Sequence, residues 1–449
     1  MLRPAGILRL LARLFPKRGK KPGVRPAGPR LLELESRIVP ASAVFTNTSN
    51  VPLLTITLGA NEAFDYQNEY KAAGTNALVG TAGFFKLSVW NSTTNSFQPA
   101  KWTKLTDTTK TWVNNQVGAG TALDTIQLAP GKSLSGINLK VVGSTSWDGA
   151  YFRANPDRVD GIFTGTVTVD ASVDDTVCQD YSFVGKNDIQ FLSPAVTAYC
   201  DILGDKNVTL TTSVGSSPVF YVEGGRTIRA GGANGASGFS LTINSSIEGT
   251  NNPGANQAQN IARIVNPGGP VTLGSGAGGN LPYTALNGLD IQASAVNLKG
   301  AFYYASENLR FHGPVTIDST TTTVFSIDNE LVLEKGINSA STARGVAFEI
   351  NGGASATINP LPDGSTPFFS GVEFRPTPGS EGAKVELNTS LKTTTTTGTI
   401  RINVPVYLGA DSSLSTTGSG TVQVGSMGSI QSLDPKKPAK LSISSTNYN

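Results

Sequence analysis

Apolar and polar residues alternate in short runs through the second half of the chain. Between Leu286 and Gly425 the runs include Val296-Asn-Leu298, Leu309-Arg-Phe311, Val315-Thr-Ile317, Leu331-Val-Leu333, Val385-Glu-Leu387, Ile400-Arg-Ile402 and Val422-Gln-Val424. Alternation over a few residues predicts strands with one buried face. Gly, Asn, Ser or Pro stands in nearly every gap, as turns require. No stretch here keeps a helical period. The predicted architecture is all-β: a parallel β-helix (β-solenoid), a stack of coils each only a few strands around.

The spacing of the runs sets the coil. Ile189-Gln-Phe191 is followed nineteen residues later by Val208-Thr-Leu210, and Thr227-Ile228 comes about as far again. Gly269-Pro-Val-Thr-Leu273 recurs as Gly313-Pro-Val-Thr-Ile317, forty-four residues on, or two coils of twenty-two. At about 21 residues per coil, positions 166–449 make about thirteen coils and a rod about 60 Å long. Inward Val, Ile, Leu and Phe should stack on like residues. Thr and Ser, including Thr320 to Thr323 and Thr393 to Thr397, should cover the outside. Gly and Asn suit the corners because they tolerate positive φ. The crossover rule predicts a right-handed coil.

Positions 44–165 differ. Strand-like runs continue at Leu53–Leu58, Phe84–Trp90, Thr125–Leu128 and Ile137–Val142, but all four Trp (Trp90, Trp102, Trp112, Trp147) lie here and none beyond. A solenoid needs a cap, because its first coil exposes an apolar core and an open edge. A β-rich N-terminal cap or domain is expected, with a sugar-binding β-sandwich as the alternative.

Composition adds an asymmetry. Residues 1–30 hold nine Lys or Arg and no acid; taking those nine from the overall +3 leaves −6 for the remainder. A mildly acidic body argues against nucleic-acid binding. Residues 1–43 read as a basic, disordered targeting leader that contacts a membrane or export machinery. Its apolar run, Ile7 to Phe15, is too short to cross a bilayer. The chain ends at Ser445-Thr-Asn-Tyr-Asn449 without an evident cap, so a longer parent is expected.

Two resemblances follow. Leu32 to Ala41 reads LELESRIVPA, which resembles the L-E-x-L-E-x-R-x-x-P-A element behind a basic leader in many planctomycete surface and secreted proteins. That resemblance implies export and no particular activity. Leu289-Asp-Ile-Gln-Ala-Ser-Ala-Val-Asn-Leu-Lys-Gly300 and Val404-Pro-Val-Tyr-Leu-Gly-Ala-Asp-Ser-Ser-Leu-Ser415 resemble filamentous-haemagglutinin and autotransporter β-strand repeats. They imply a pectin-lyase-like fold and a display, adhesion or matrix role. They supply no catalytic residues.

Candidate chemistry is sparse, with only 15% charged residues, two Cys and one His. Cys178 and Cys200 lie twenty-two residues apart, one coil, so they are either a disulfide between stacked coils or two buried thiols. His312, in Arg310-Phe-His-Gly313, lacks the Gly-His-Gly of a polygalacturonase, and Arg401 is followed by Asn403 where Lys belongs. It reads as a surface or corner histidine. The densest carboxylate set is Asp148, Asp157, Asp160, Asp170, Asp174, Asp175 and Asp180. It reads first as a solvated junction. As a calcium-dependent lyase it would use Arg158 as base with Asp174 and Asp175; as a calcium site alone, Asp170, Asp174 and Asp175. The expected protein is an exported surface or extracellular structural or adhesive solenoid without catalysis, contacting polysaccharide or protein. A polysaccharide lyase or glycoside hydrolase on the same scaffold is the alternative.

Overall fold

The computed structural model describes residues 41–449, apart from 68–69, 72–77, 80–83, 103, 108–124, 128–135, 145–146, 154–161, 212–217, 251–260, 275–287, 306–307, 320, 342–343, 378–380, 446 and 449. The leader, apart from its last three residues, and Trp112 therefore lie outside the described residues. The described chain within Val39–Asn449 is all strand and turn, with no helix among the described residues.

The fold is a parallel β-solenoid. In each coil, short strands mostly bury alternate residues: Val167–Val169, Asp175–Cys178 (where Thr176, Val177 and Cys178 are all buried) and Phe183–Gly185 form one coil, followed by Ile189–Phe191, Ala195–Ala198 and Ile202–Gly204. Each strand pairs in parallel with its equivalent one coil on. In-register pairing places like positions above one another. One inward column runs Phe183, Ile202, Ile228, Ile264, Ile291, Phe311, Leu333, Ile358, Leu387, Leu408 and Ser432. Those eleven rungs are fewer than the sequence spacing predicts. Coils such as the one from Val208 to Leu241 take up more residues than one of about 21.

The N-terminal strands belong to the same sheets. A second column begins in them: Leu54, Leu139, Val167, Ile189, Val208, Leu241, Val271, Val296, Val315 and Ile337. Antiparallel pairs close the end of the stack. Ser42–Thr48 pairs with Val51–Thr57, and Glu62–Gln67 with Phe84–Asn91. Trp102 is fully buried there, its indole N–H donating to the Phe85 carbonyl at 3.1 Å. Antiparallel hairpins end a parallel ladder without offering a matching edge.

Aromatic rings form their own column. Tyr303, Phe325, Phe348 and Phe374 stack with centroids 5.6, 5.4 and 5.2 Å apart. The threonine runs do not lie wholly outside. Thr323 and Thr393 are fully buried, and their hydroxyls donate to the carbonyls of Gly300 and Gly398 at 3.3 Å. A hydroxyl that finds a backbone acceptor is tolerated inside. The proximity of Gly398 to Thr393 lies beyond any period the run itself shows.

The two longest strands, Ile261–Leu273 and Gly288–Leu298, span a corner and join two faces, with a register shift between Asn266 and Pro270. Buried Asn266 holds the bend: its amide donates to the carbonyls of Phe239 (3.1 Å) and Pro270 (2.9 Å). Backbone from the Phe239 loop packs so closely that a Cβ on Gly269 would stand 1.9 Å from the Phe239 oxygen. Gly371 is different, since its nearest neighbour would be 3.5 Å away. Gly269→Ala should therefore cost about 2–3 kcal/mol in urea unfolding, against less than about 0.5 kcal/mol for Gly371→Ala. Equal midpoints for the two variants would show that the corner does not depend on this approach.

Candidate functional site

Parallel stacking decides which polar side chains meet. Asp148 precedes strand Gly149–Arg153, and Asp174 precedes the equivalent position one coil on, since Gly149 pairs with Asp175. Their order on the chain therefore becomes contact in space. The Asp148 N–H donates to Asp174 Oδ2 at 2.9 Å, and Asp148 Oδ2 accepts from the Ser144 N–H at 2.5 Å. Glu62 lies beside them, accepting from the Gly59 N–H at 2.6 Å. Asp148 and Glu62 are buried.

The same burial penalises the charge. Loss of hydration pushes the carboxyls of Glu62, Asp148 and Asp174 above the usual range, only partly offset by the backbone N–H groups they accept from. Asp175 goes furthest, to about 7, first through desolvation and then through the neighbouring Asp174 charge. Its Oδ1 is inaccessible and has no hydrogen-bond partner. Thus carboxylates that look interchangeable in sequence differ sharply in the fold.

The calcium trio is not assembled. Asp170 turns its Oδ1 to its own loop, accepting from the N–H (3.0 Å) and hydroxyl (2.9 Å) of Ser172. Asp174 serves the Asp148 backbone, and Asp175 accepts a hydrogen bond from the Thr176 backbone. No three His, Cys, Asp or Glu among the described residues converge as a metal would require. Arg158, with Asp157 and Asp160, lies outside the described residues. Asp180 faces Arg153, which spans from Asp65 (3.4 Å) to Asp180 (3.7 Å).

Of the two readings of the cysteines, the structure has the two buried thiols. Both cysteines are free and buried. Cys178 pairs with Ala198, so the coil there is twenty residues, two short of the cysteine spacing. Cys200 consequently falls past the strand, at the turn. Burial raises both thiols, well above their ordinary range for Cys178. They behave as small apolar core groups.

His312 gains the most from the fold. It follows strand Asn308–Phe311, and its two ring nitrogens face carboxylates from different coils: Nε2 lies 2.6 Å from Asp290 Oδ1 and Nδ1 2.8 Å from Glu334 Oε2. The ring thus bridges three coils on a half-exposed face, beside the Arg310–Glu330 pair at 3.4 Å. A corner histidine was legible, whereas its partners were not singled out. The spacing held a signal: Asp290, His312 and Glu334 are separated by twenty-two and twenty-two residues. Arg401, set aside as a failed hydrolase motif, donates to Gln423 at 3.2 Å. It lines a shallow depression of about 250 Å³ with Thr322, Ser370, Glu373 and Thr399.

Asp175 sets a pH dependence. Its folded pKa lies above the unfolded value near 3.9, so the native state holds the extra proton between about 4 and about 7. This group's contribution is therefore greatest at low pH and is lost as pH rises through that window, by up to about 1.4 kcal/mol per pH unit. Asp175→Asn should raise the unfolding temperature at pH 7.5 and flatten its fall between pH 5 and 7.5. The slope that remains belongs to Glu62, Asp148 and Asp174. Parallel pH curves for the two proteins would refute the assignment.

No family model matches this chain, and no curated protein or solved structure matches it either.

Proposed function

We propose that the protein is an exported structural or adhesive solenoid, displayed at the cell surface or outside the cell, that acts by presenting a surface and not by catalysis. The observation that carries this reading is the unbroken inward column from Phe183 to Leu408. Every rung is used for stacking, and the outward positions between rungs remain free for contact. The carboxylates considered for chemistry support it too: Asp170 and Asp174 bond to the backbone or side chains of their own turns and neighbouring coils. Export rests on the basic leader and the LELESRIVPA resemblance.

The activity part is tested by incubating the full chain with acidic and neutral polysaccharides, with and without calcium, while following unsaturated products by ultraviolet absorbance and reducing ends by colour. The expected outcome is binding without turnover. Calcium-dependent turnover that disappears in Arg158→Ala and Asp175→Ala would replace this reading with a lyase.

The export part has its own measurement. N-terminal sequencing of protein recovered from the cell surface or medium should begin after about Pro40. Protein that stays inside the cell with Met1 in place would overturn it.

A further inference from the structure

One outer face of the solenoid carries aromatic side chains that the core does not use. The sheet runs Ser96–Ala100, Phe84–Asn91, Glu62–Gln67, Gly149–Arg153, Asp175–Cys178, Ala195–Ala198, Val219–Glu223 and Ser246–Thr250, in that order, and Thr125–Gln127 also pairs with Phe84–Asn91. Its inward side buries Phe64, Tyr66, Phe85, Phe152 and Phe220. Alternation then turns Trp90, Phe97, Tyr151 and Tyr221 outward, with Trp147 and Tyr199 at the strand ends. Phe97, Trp147 and Tyr199 are 38%, 36% and 38% exposed.

These rings are grouped. Phe97 lies 5.1 Å from Trp90, 5.5 Å from Trp147 and 6.4 Å from Tyr151, centroid to centroid. Further along the axis, Tyr199 and Tyr221 stand 6.1 Å apart. Gly149 sits beneath the first group: a Cβ there would be 2.9 Å from Tyr151 Cε2 and 3.2 Å from Trp147 Cη2. The bare backbone lets both rings lie against the sheet. Between the two groups stands Asp175, its inaccessible Oδ1 without a hydrogen-bond partner in the protein.

We propose that this face binds a neutral, hydroxyl-rich polysaccharide, and is the contact surface of the display function proposed above, on which it rests. Aromatic rings supply flat apolar area at small entropic cost and suit the apolar faces of pyranose rings. Carboxylate and guanidinium groups supply directional bonds to hydroxyls. The charge pairing selects the class. Arg153 is held between Asp65 and Asp180, and Arg226 by Glu223, so neither guanidinium is set out as an anion-binding cation for polyuronates or sulfated chains. Successive coils repeat about every 4.8 Å, a step close to the advance of one sugar along an extended glycan. The rings thus offer contacts to several sugars of one chain.

Affinity of the full-length protein is measured on cellulose, chitin and mannan as neutral probes, with polygalacturonate as the acidic one. Binding to at least one neutral polymer is expected. It should weaken at least tenfold in Trp147→Ala and in Tyr199→Ala, and keep most of its strength in Trp147→Phe. Arg401→Ala, in the depression on another sheet, should leave it unchanged. Unfolding temperatures within error of the parent confirm that the exposed-ring variants fold. Three results would each overturn the proposal: binding to no neutral polymer, binding to polygalacturonate alone, or neutral-polymer binding that survives Trp147→Ala combined with Tyr199→Ala. Self-association abolished by the same pair of substitutions would reassign the face to a second copy and overturn it equally. Surface exposure on intact cells, read by protease digestion, separates the two readings. Exposed protein that binds no glycan refutes only this face, whereas turnover of a bound glycan refutes only the non-catalytic display.

Discussion

In-register stacking of apolar side chains between coils is the constraint on which the rest of this molecule depends. A single coil cannot bury its inward Val, Ile, Leu and Phe; only its neighbours cover them. Full burial of such a side chain is worth about 1.5–3 kcal/mol, and the column from Phe183 to Leu408 repeats that contribution coil after coil. The parallel ladders add backbone pairing along the same lines. Every inward position is therefore committed to stacking, which leaves the outward positions and turns free of that constraint. The corner at Asn266 to Pro270 shows the limit of that freedom, because packed backbone leaves no room for a Cβ on Gly269.

The ends and junctions bear the costs of this arrangement. A parallel stack has an open edge at each end, and the N-terminal one meets antiparallel hairpins around Trp102 and the Phe64–Phe85 ring pair. Near that end, Glu62, Asp148 and Asp174 are drawn in among backbone N–H groups that only partly repay their lost hydration. Asp175 is not repaid by any side chain, which makes it a liability to the fold.

Coil length acts as the switch that turns sequence spacing into contact. Where coils are twenty-two residues long, side chains twenty-two apart come close, as Glu334 does to His312. Where the coil shortens to twenty, Cys178 lies over Ala198 and Cys200 slides into the turn. The thiols stay unbonded there, whereas Asp290, in register with Arg310 twenty residues on, still reaches His312 at 2.6 Å past the strand end. Insertions such as the one between Val208 and Leu241 leave the ladder intact and cost only loop entropy, which grows slowly with length.

The sequence alone determined the all-β class, the coil of about twenty residues and the inward residues of most strands. All three depend on local alternation and turn chemistry, which need no knowledge of what lies above or below. It also led to the expectation of a β-rich cap or domain over 44–165, whose strands in the structure share sheets with the coils, and of a surface or corner position for His312. Only the tertiary structure decided the rest. It brought Asp290 and Glu334 to His312, turned Asp170 to Ser172 in its own loop, buried Thr323 and Thr393, and gathered Phe97, Trp147 and Tyr151 on one outer face. The physical reason is register. Whether two residues a coil apart meet depends on loop lengths to within one or two positions, and a period averaged over an irregular stack does not carry that accuracy.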